Sequence, residues 1–355
     1  MIVSQKAILP EIPRPIVSIG AGGIVRDAHQ PAYKIAGFPV VAVYDLSREK
    51  AAALARDFDI PRVCDSLAEA VAVAPSNAVF DLALPAGAIL GVVRELPDGA
   101  AVLMQKPMGE SLDEARAIRD LCRSKNLVAA VNLQLRHAPY IIAVRDIINQ
   151  GVIGELHDIE VRLTCHMPWQ LWKFLFGLPR MEINYHSIHY IDLIRSFMGD
   201  PQGVWCKTVK HPRMMDLAST RTNIALDYGD VRRANITTNH GHNFGPRHQE
   251  SYAKFEGTKG AVKARLGVNL DYPRGLPDYL EYCIPKPGEE PRWEEIPLQG
   301  SWFPHAFIGS MASVMRKANG ETSELPTSVG DAFQTMSVIE ACYQSSERGA
   351  TPLPR

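Results

Sequence analysis

One passage near the start of the chain constrains the fold more than any other. Ile16-Val17-Ser18-Ile19 is a short β-branched apolar run that passes directly into Gly20-Ala21-Gly22-Gly23-Ile24-Val25 and then into a helix-like stretch. This is the pattern of strand, glycine-rich turn and helix. Glycine at 20 permits the tight turn; glycine at 22 lets the backbone approach a pyrophosphate, leaving helix N-terminal amides to receive its charge. Gly20, Ala21, Gly22, Gly23 and Ile24 are therefore expected to hold a dinucleotide. The third fingerprint position carries Val25, where Gly or Ala is usual.

A second apolar strand, Val40 to Tyr44, ends in Asp45, about where an acidic residue meets the adenosine ribose. Its carboxylate accepts hydrogen bonds from both ribose hydroxyls and repels a 2′-phosphate, so NAD is favoured over NADP. Arg48 and Lys50 soften that preference, because a basic side chain there can pair with the extra phosphate. Further strands are expected over Ala78 to Leu84, ending at Pro85; over Ala101 to Met104, ending at Gln105-Lys106-Pro107; and over Leu127 to Val131, ending at Asn132. Helical stretches such as Leu112 to Ser124 separate them, which indicates a mostly parallel sheet covered on both faces. Ligands of such sheets sit at the carboxyl ends of the strands. Leu84, Pro85, Gln105, Lys106 and Asn132 thus complete the expected cofactor site.

A chain of 355 residues with 46% apolar residues has material for two cores. The expected division is a dinucleotide-binding domain over 1–135, after a short tail 1–14, and a second domain over 136–355. With 38 basic and 39 acidic residues the net charge is -1, which offers no field to attract nucleic acid or an anionic membrane. The six cysteines form no C-x-x-C pair or zinc-finger spacing and read as reduced thiols. Residues 1–15 lack the continuous apolar run of a signal peptide, and no segment reaches the roughly 20 apolar residues that span a bilayer. A cytoplasmic location is the resulting expectation.

The ordered motifs resemble the glucose-fructose oxidoreductase, inositol dehydrogenase and MocA-like family. They comprise the Gly20 turn with Ile24, then His29-Gln30-Pro31-Ala32, Pro85, Gln105-Lys106-Pro107, the stretch Tyr185-His186-Ser187-Ile188-His189-Tyr190-Ile191-Asp192, the turn Gly257-Thr258-Lys259-Gly260 and the segment Ala341 to Ser346. The resemblance spans nearly the whole chain. It implies an α/β protein with an N-terminal Rossmann domain and a C-terminal domain built on a large open, mainly antiparallel sheet, the last helices packing back toward the first domain. It also implies frequent homodimers or homotetramers; an open sheet of alternating residues is expected to expose an apolar patch that self-association hides. Three departures stand out: Gln105 replaces the family's usual Glu, Tyr185 occupies the place of its usual Asp, and the histidine often found after Pro85 is missing, with Ile89 near its place.

Oxidising a secondary alcohol by hydride transfer to nicotinamide leaves a proton, so the site needs a base and a group that stabilises alkoxide character. Lys106 at a central strand end suits the second task, and His189 suits the first. Tyr185 is the rival base. In an α-helix Tyr185, His189, Asp192 and Ser196 would share one polar face, with Ile188, Ile191, Ile194 and Phe197 packed behind. Lys106, Arg136, His166, Trp169, Tyr185, His186 and His189 form the expected substrate-binding set, for a carbohydrate-like small molecule. The aromatic run Trp169, Trp172, Phe174 and Phe176 either stacks on a sugar ring or serves core and interface packing. His186 and His189, and His240 and His242 farther on, have spacings that metal ligands can use, but sugar sites also use histidines for hydrogen bonding, and no metal is expected. Two other functions share this scaffold: a sugar-sensing protein that binds dinucleotide without turnover, and an NAD-using glycoside hydrolase that oxidises its sugar transiently.

Overall fold

The computed structural model describes residues 1–272 and 274–354. The β-branched runs at the start of the chain form β1 (Ile16–Ile19) and β2 (Val40–Tyr44); these are followed by β3 (Val79–Leu82), β4 (Ala101–Met104) and β5 (Val128–Val131). Between them lie α1 (Gln30–Ala36), α2 (Arg48–Phe58), α3 (Leu67–Ala72), α4 (Ile89–Glu95) and α5 (Leu112–Ser124). Ser47, Ser66 and Ser111 each accept a backbone N–H at the start of α2, α3 and α5, which fixes where those helices begin. The five strands are parallel in the order β2-β1-β3-β4-β5, the doubly wound arrangement expected from the alternating pattern.

The next elements are α6 (Pro139–Asn149), β6 (Leu156–Thr164), α7 (Ile188–Met198), β7 (Gly203–Val209), β8 (Arg221–Tyr228), β9 (Arg232–Asn239), β10 (Glu250–Gly257), β11 (Ala261–Arg265), β12 (Tyr279–Cys283) and β13 (Glu294–Glu295). These strands form one sheet in the order β13-β12-β11-β10-β6-β9-β8-β7, antiparallel except where β6 meets β9. The chain ends in α8 (His305–Ala318) and α9 (Val329–Arg348).

Two compact units result, and neither is a single stretch of chain. One holds Lys6–Ala138 and Phe303–Met336; the other holds Met1–Gln5, Pro139–Trp302 and the chain from Ser337 on. In the first unit α8 supplies one wall of the core: Phe307, Met311, Val314 and Met315 pack with Tyr33, Val79, Leu103 and Ala130. The opposite face buries Val25, Val43, Ala51 and Leu54.

In the second unit buried and more open positions alternate along β8, β9, β10 and β11. Ile159, Val161, Leu163, Ile224, Leu226, Ile236, Phe255 and Val262 point to the buried side. The other side differs from the apolar patch expected of it. Arg162 pairs with Glu250 at 2.6 Å, Arg233 with Asp158 at 2.6 Å and Lys254 with Glu256 at 2.9 Å. Tyr252 donates to Glu160, and the Lys263 ammonium lies 4.4 Å from the Tyr252 ring centre. Trp205 and Val209 on the edge strand β7, 64% and 37% exposed, are apolar exceptions. Polar residues on alternate positions satisfy one another across strands, so exposure of this face carries little hydrophobic penalty.

Candidate functional site

At the glycine-rich turn, Gly20 has φ 109°, a region L side chains rarely adopt, and a Cβ there would strike the Ala83 carbonyl. Beside Gly22 the space is open for 4 Å. The first glycine is demanded by the backbone and the second leaves a cradle of the kind a phosphate fills. Asp45 accepts the Ala21 N–H at 2.8 Å through one oxygen and the Ser47 N–H at 2.7 Å through the other. It therefore ties the turn to the end of β2, and its remaining lone pairs can still accept ribose hydroxyls. Val25, at the third fingerprint position, is fully buried and opens a π-helical turn, Val25–His29, before α1.

The parallel register gathers the other predicted cofactor residues at the strand ends. Gln105 N–H donates to Leu82 at 2.8 Å, and Asn132 N–H donates to Met104 at 2.7 Å. Leu84 and Pro85 follow β3, with Pro85 leading a 3₁₀ turn, Ala86–Ala88. Asn132 is fully buried, and its Oδ1 has no partner within the protein, a free acceptor that suits an amide donor such as a nicotinamide carboxamide. Part of the Lys106 side chain still meets solvent, but its charged end is enclosed, and desolvation pushes the ammonium down to about 8. A lysine so placed titrates closer to neutral pH than an exposed one. Arg136 donates to the Asp331 carboxylate at 2.6 Å and to the Pro326 carbonyl at 2.9 Å.

In the second unit the residues before α7 depart from α geometry. Ile183–Ser187 is a π-helical turn holding Asn184, Tyr185 and His186, and α7 begins only at Ile188. The wider turn changes the angular phase, so the stripe expected of an α-helix breaks. The break separates Tyr185 from the rest: His189, Asp192 and Ser196 stay in α phase on α7, where Ser196 accepts Arg145 at 2.7 Å and donates to the Leu193 carbonyl at 2.7 Å. Ile188, Ile191 and Ile194 are buried as expected, and Phe197 meets Phe255 at 5.0 Å. His189 and Asp192 are buried on α7, and the His189 ring lies edge-on to Trp302 at 5.6 Å. The Tyr185 ring contacts Phe174 at 5.8 Å.

Trp169, His186 and His240 come together, with ring centres 5.1 Å apart for Trp169 and His186, 5.3 Å for Trp169 and His240, and 4.6 Å for His186 and His240. His166 bridges to Gly241, beside this group. The Trp169 Nε1 and His166 Nδ1 atoms are buried without protein partners and offer polar recognition next to flat ring surface. Trp172 packs against Tyr272 with tilted rings, centres 5.3 Å apart, while Phe174 and Phe176 remain exposed. His242 instead meets the Arg247 carbonyl at 3.0 Å. Among the described residues no group of three or more His, Cys, Asp or Glu is placed to hold a metal ion.

The sequence reading missed what supports this aromatic group. Glu182, entirely buried, meets His240 Nε2 at 3.1 Å and accepts from Ser187 at 2.9 Å and Thr222 at 2.5 Å. Burial alone would raise the Glu182 carboxyl; the hydrogen bonds of His240, Thr222 and Ser187 and the charge of His240 hold it below its ordinary value. Burial likewise opposes charge on His240, yet its bonds to Cys165 and Glu182 push it up to about 9. An ion pair thus lies beneath Trp169 and His186 and anchors the π turn to β8 and the end of β9. The available signal was a lone carboxylate between Met181 and Ile183, in an apolar setting that tolerates none without partners.

Two family models match the chain. The one described as "Oxidoreductase family, NAD-binding Rossmann fold" matches residues 15–133, and the GFO/IDH/MocA C-terminal domain matches residues 141–263. The chain is similar to a D-apiose dehydrogenase of Rhizobium rhizogenes, 24% identical over 70% of this chain and 71% of that one. It is similar also to a scyllo-inositol 2-dehydrogenase (NADP(+)) of Bacillus subtilis, 20% identical over 71% and 72%. Among solved structures, a levoglucosan dehydrogenase in complex with NADH and levoglucosan has the same fold, with a TM-score of 0.77, 17% identity and coverage of 95% of this chain and 98% of that one.

The buried pair makes stability pH-dependent in a defined direction. His240, raised from 6.5 to about 9, contributes fully below 6.5 and loses its contribution as pH rises through about 9; Glu182, lowered from 4.5, contributes above 4.5 and loses its share as pH falls through its folded value. Glu182→Gln, which leaves the imidazolium without its counter-charge, is expected to cost about 3–5 kcal/mol near neutral pH. Urea unfolding of both proteins across pH checks this. The gap should narrow above about 9, and a pH-independent gap would show that the pair is not ionised.

Proposed function

Because the chain belongs to the GFO/IDH/MocA oxidoreductase family, with its NAD-binding Rossmann fold, we propose that it transfers hydride between a nicotinamide cofactor and a CH–OH or C=O carbon of a sugar, polyol or sugar derivative. One observation carries the reading furthest: a desolvated lysine, Lys106, held down to about 8 at a central strand end, beside the orphan acceptor of Asn132. The relatives named above act on small polyhydroxylated compounds, which supports the substrate class. Gly20, Ala21, Gly22, Gly23, Ile24 and Asp45 would hold the adenosine and pyrophosphate half of NAD, and Leu84, Pro85, Gln105, Lys106 and Asn132 the nicotinamide half. The bound cofactor supplies the hydride acceptor.

The chain's own residues manage the proton and the orientation. Lys106 as ammonium hydrogen-bonds the substrate oxygen and lowers the cost of alkoxide character, while His189 accepts the hydroxyl proton and Tyr185 is the competing acceptor. Trp169, His186 and His166 present ring surface and hydrogen-bonding groups to the sugar, and Arg136 completes the set. We place the enzyme in the cytoplasm as a homodimer or homotetramer formed through the open sheet. The ion-paired mosaic of that face supports electrostatic self-complementarity rather than hydrophobic burial.

A screen of polyols, aldoses and glycosides with NAD and NADP, read at the nicotinamide absorbance, tests the function. Dinucleotide binding with no turnover on any of them would favour a sensor, and glycoside cleavage without net NADH would favour the hydrolase. Lys106→Ala is expected to reduce turnover on the order of a hundredfold or more with little effect on dinucleotide affinity, and His189→Ala by roughly a hundred to ten thousand. The pH profile assigns the lysine's role. If its ammonium stabilises the alkoxide, activity falls as pH rises through about 8, whereas activity rising through about 8 would make neutral Lys106 the base. A loss in Tyr185→Phe with none in His189→Ala would move the base to the tyrosine.

Asp45 is expected to set NAD preference. Its replacement by Ala should raise the relative efficiency with NADP, and equal or better use of NADP by the wild type overturns the assignment. Light scattering at micromolar concentration should find a dimer or tetramer that weakens with added salt. A monomer at low salt would remove the proposed interface.

A further inference from the structure

Asp81 lies inside β3, 1% exposed, in a strand that is otherwise apolar. Its Oδ2 accepts the Tyr33 hydroxyl at 2.8 Å and lies 2.8 Å from His29 Nδ1. Burial, with the Asp81 charge beside it, holds the Tyr33 phenol well above its usual value, so it stays a donor. His29, also 1% exposed, turns its other nitrogen toward two amides: Gln105 Nε2 at 3.3 Å and Asn132 Nδ2 at 3.4 Å.

The direction of every bond in this chain follows from one fixed donor. The backbone N–H of Lys106 can only donate, and it donates to Gln105 Oε1 at 2.9 Å. The Gln105 amide therefore presents its NH₂ group to His29, so His29 Nε2 must be the acceptor and Nδ1 must carry the proton. Nδ1–H in turn requires an accepting carboxylate, which Asp81 supplies. We propose that His29, held by Asp81 as the neutral Nδ1–H imidazole, is a positioning residue that orients the Gln105 and Asn132 side chains and, through Gln105, the backbone at Lys106. Neutral Gln105 and neutral His29 are thus matched: a carboxylate at 105 would demand a second N–H on the ring.

Two variants separate positioning from plain packing. His29→Asn keeps an N–H for Asp81 and deletes the acceptor that Nε2 provided; His29→Gln can reach that acceptor position with its own oxygen. Positioning predicts a kcat loss on the order of tenfold to a hundredfold in His29→Asn, with little change in KM for NAD and partial recovery in His29→Gln. The reverse ranking, or normal kcat in both, overturns the proposal.

Long-range ¹H–¹⁵N spectra of the full-length protein without substrate or cofactor test the proton directly. Near neutral pH, His29 should be protonated on Nδ1 alone, and Gln105→Glu should convert it to the doubly protonated ring. An Nε2–H or doubly protonated His29 in the wild type, or an unchanged ring in Gln105→Glu, overturns the assignment, even where the His29 variants fail to fold. Because the imidazole spectrum needs no turnover, it separates failure of this assignment from failure of the dehydrogenase reading on which its catalytic consequence rests.

Discussion

A parallel sheet covered on both faces leaves no water for a charge within its strands, and Asp81 is a charge placed there. An unpaired carboxylate at that depth would cost several kcal/mol. Two buried side chains from the π turn and α1, His29 and Tyr33, meet that cost with hydrogen bonds of 2.8 Å each. Most of what positions the strand-end groups follows from this bond set. The imidazole that satisfies Asp81 has one nitrogen left, and that nitrogen reaches the amides that follow β4 and β5. An internal electrostatic debt is thereby converted into geometric order at the end of the sheet where ligands of this fold sit.

The second unit solves the same problem with a different residue pair. Glu182 and His240 are both fully buried and meet at 3.1 Å, and Ser187 and Thr222 also donate to the carboxylate. Such a pair is a poor way to gain stability, since well-packed apolar residues of similar volume often do as well. Its value lies in direction. It admits one arrangement of the turn Ile183–Ser187 against β8 and β9, and that turn carries Tyr185 and His186. The outer face of the same sheet shows the contrasting case, where Arg162, Arg233 and Lys254 keep contact with solvent while paired, and such exposed pairs contribute little to stability.

Legibility in the sequence followed the locality of the physics. The strands Ile16–Ile19, Val40–Tyr44 and Ala101–Met104 and the helix Leu112–Ser124 coincide with the runs expected of them, because short-range periodicity and serine caps decide them. Gly20 and Asp45 were legible as a pair because spacing along the chain reports the β1-to-β2 crossover. The Glu182–His240 contact, between residues 58 apart, was not. Nor was the charged outer face, where alternation was read correctly but the identity of the outward residues was not counted. Cross-strand partners become visible only once the register is known.

The two departures from helical periodicity have a common character. Both π turns, Val25–His29 and Ile183–Ser187, stand where a helix begins next to candidate ligand-binding residues, and both contain a residue of a buried polar network, His29 in one and Ser187 in the other. A π turn costs backbone hydrogen-bond quality and shifts every later side chain in phase. A sequence pattern scored at the α period cannot register it, and so it sets Tyr185 in α phase with His189 and Asp192 across a turn that is not α. The π turns bring Ser187 to Glu182 and His29 to Asp81 Oδ2, while Asp81 Oδ1 is left buried without a partner. The local rule fails where the polar network is dense, and local rules are expected to fail at functional sites.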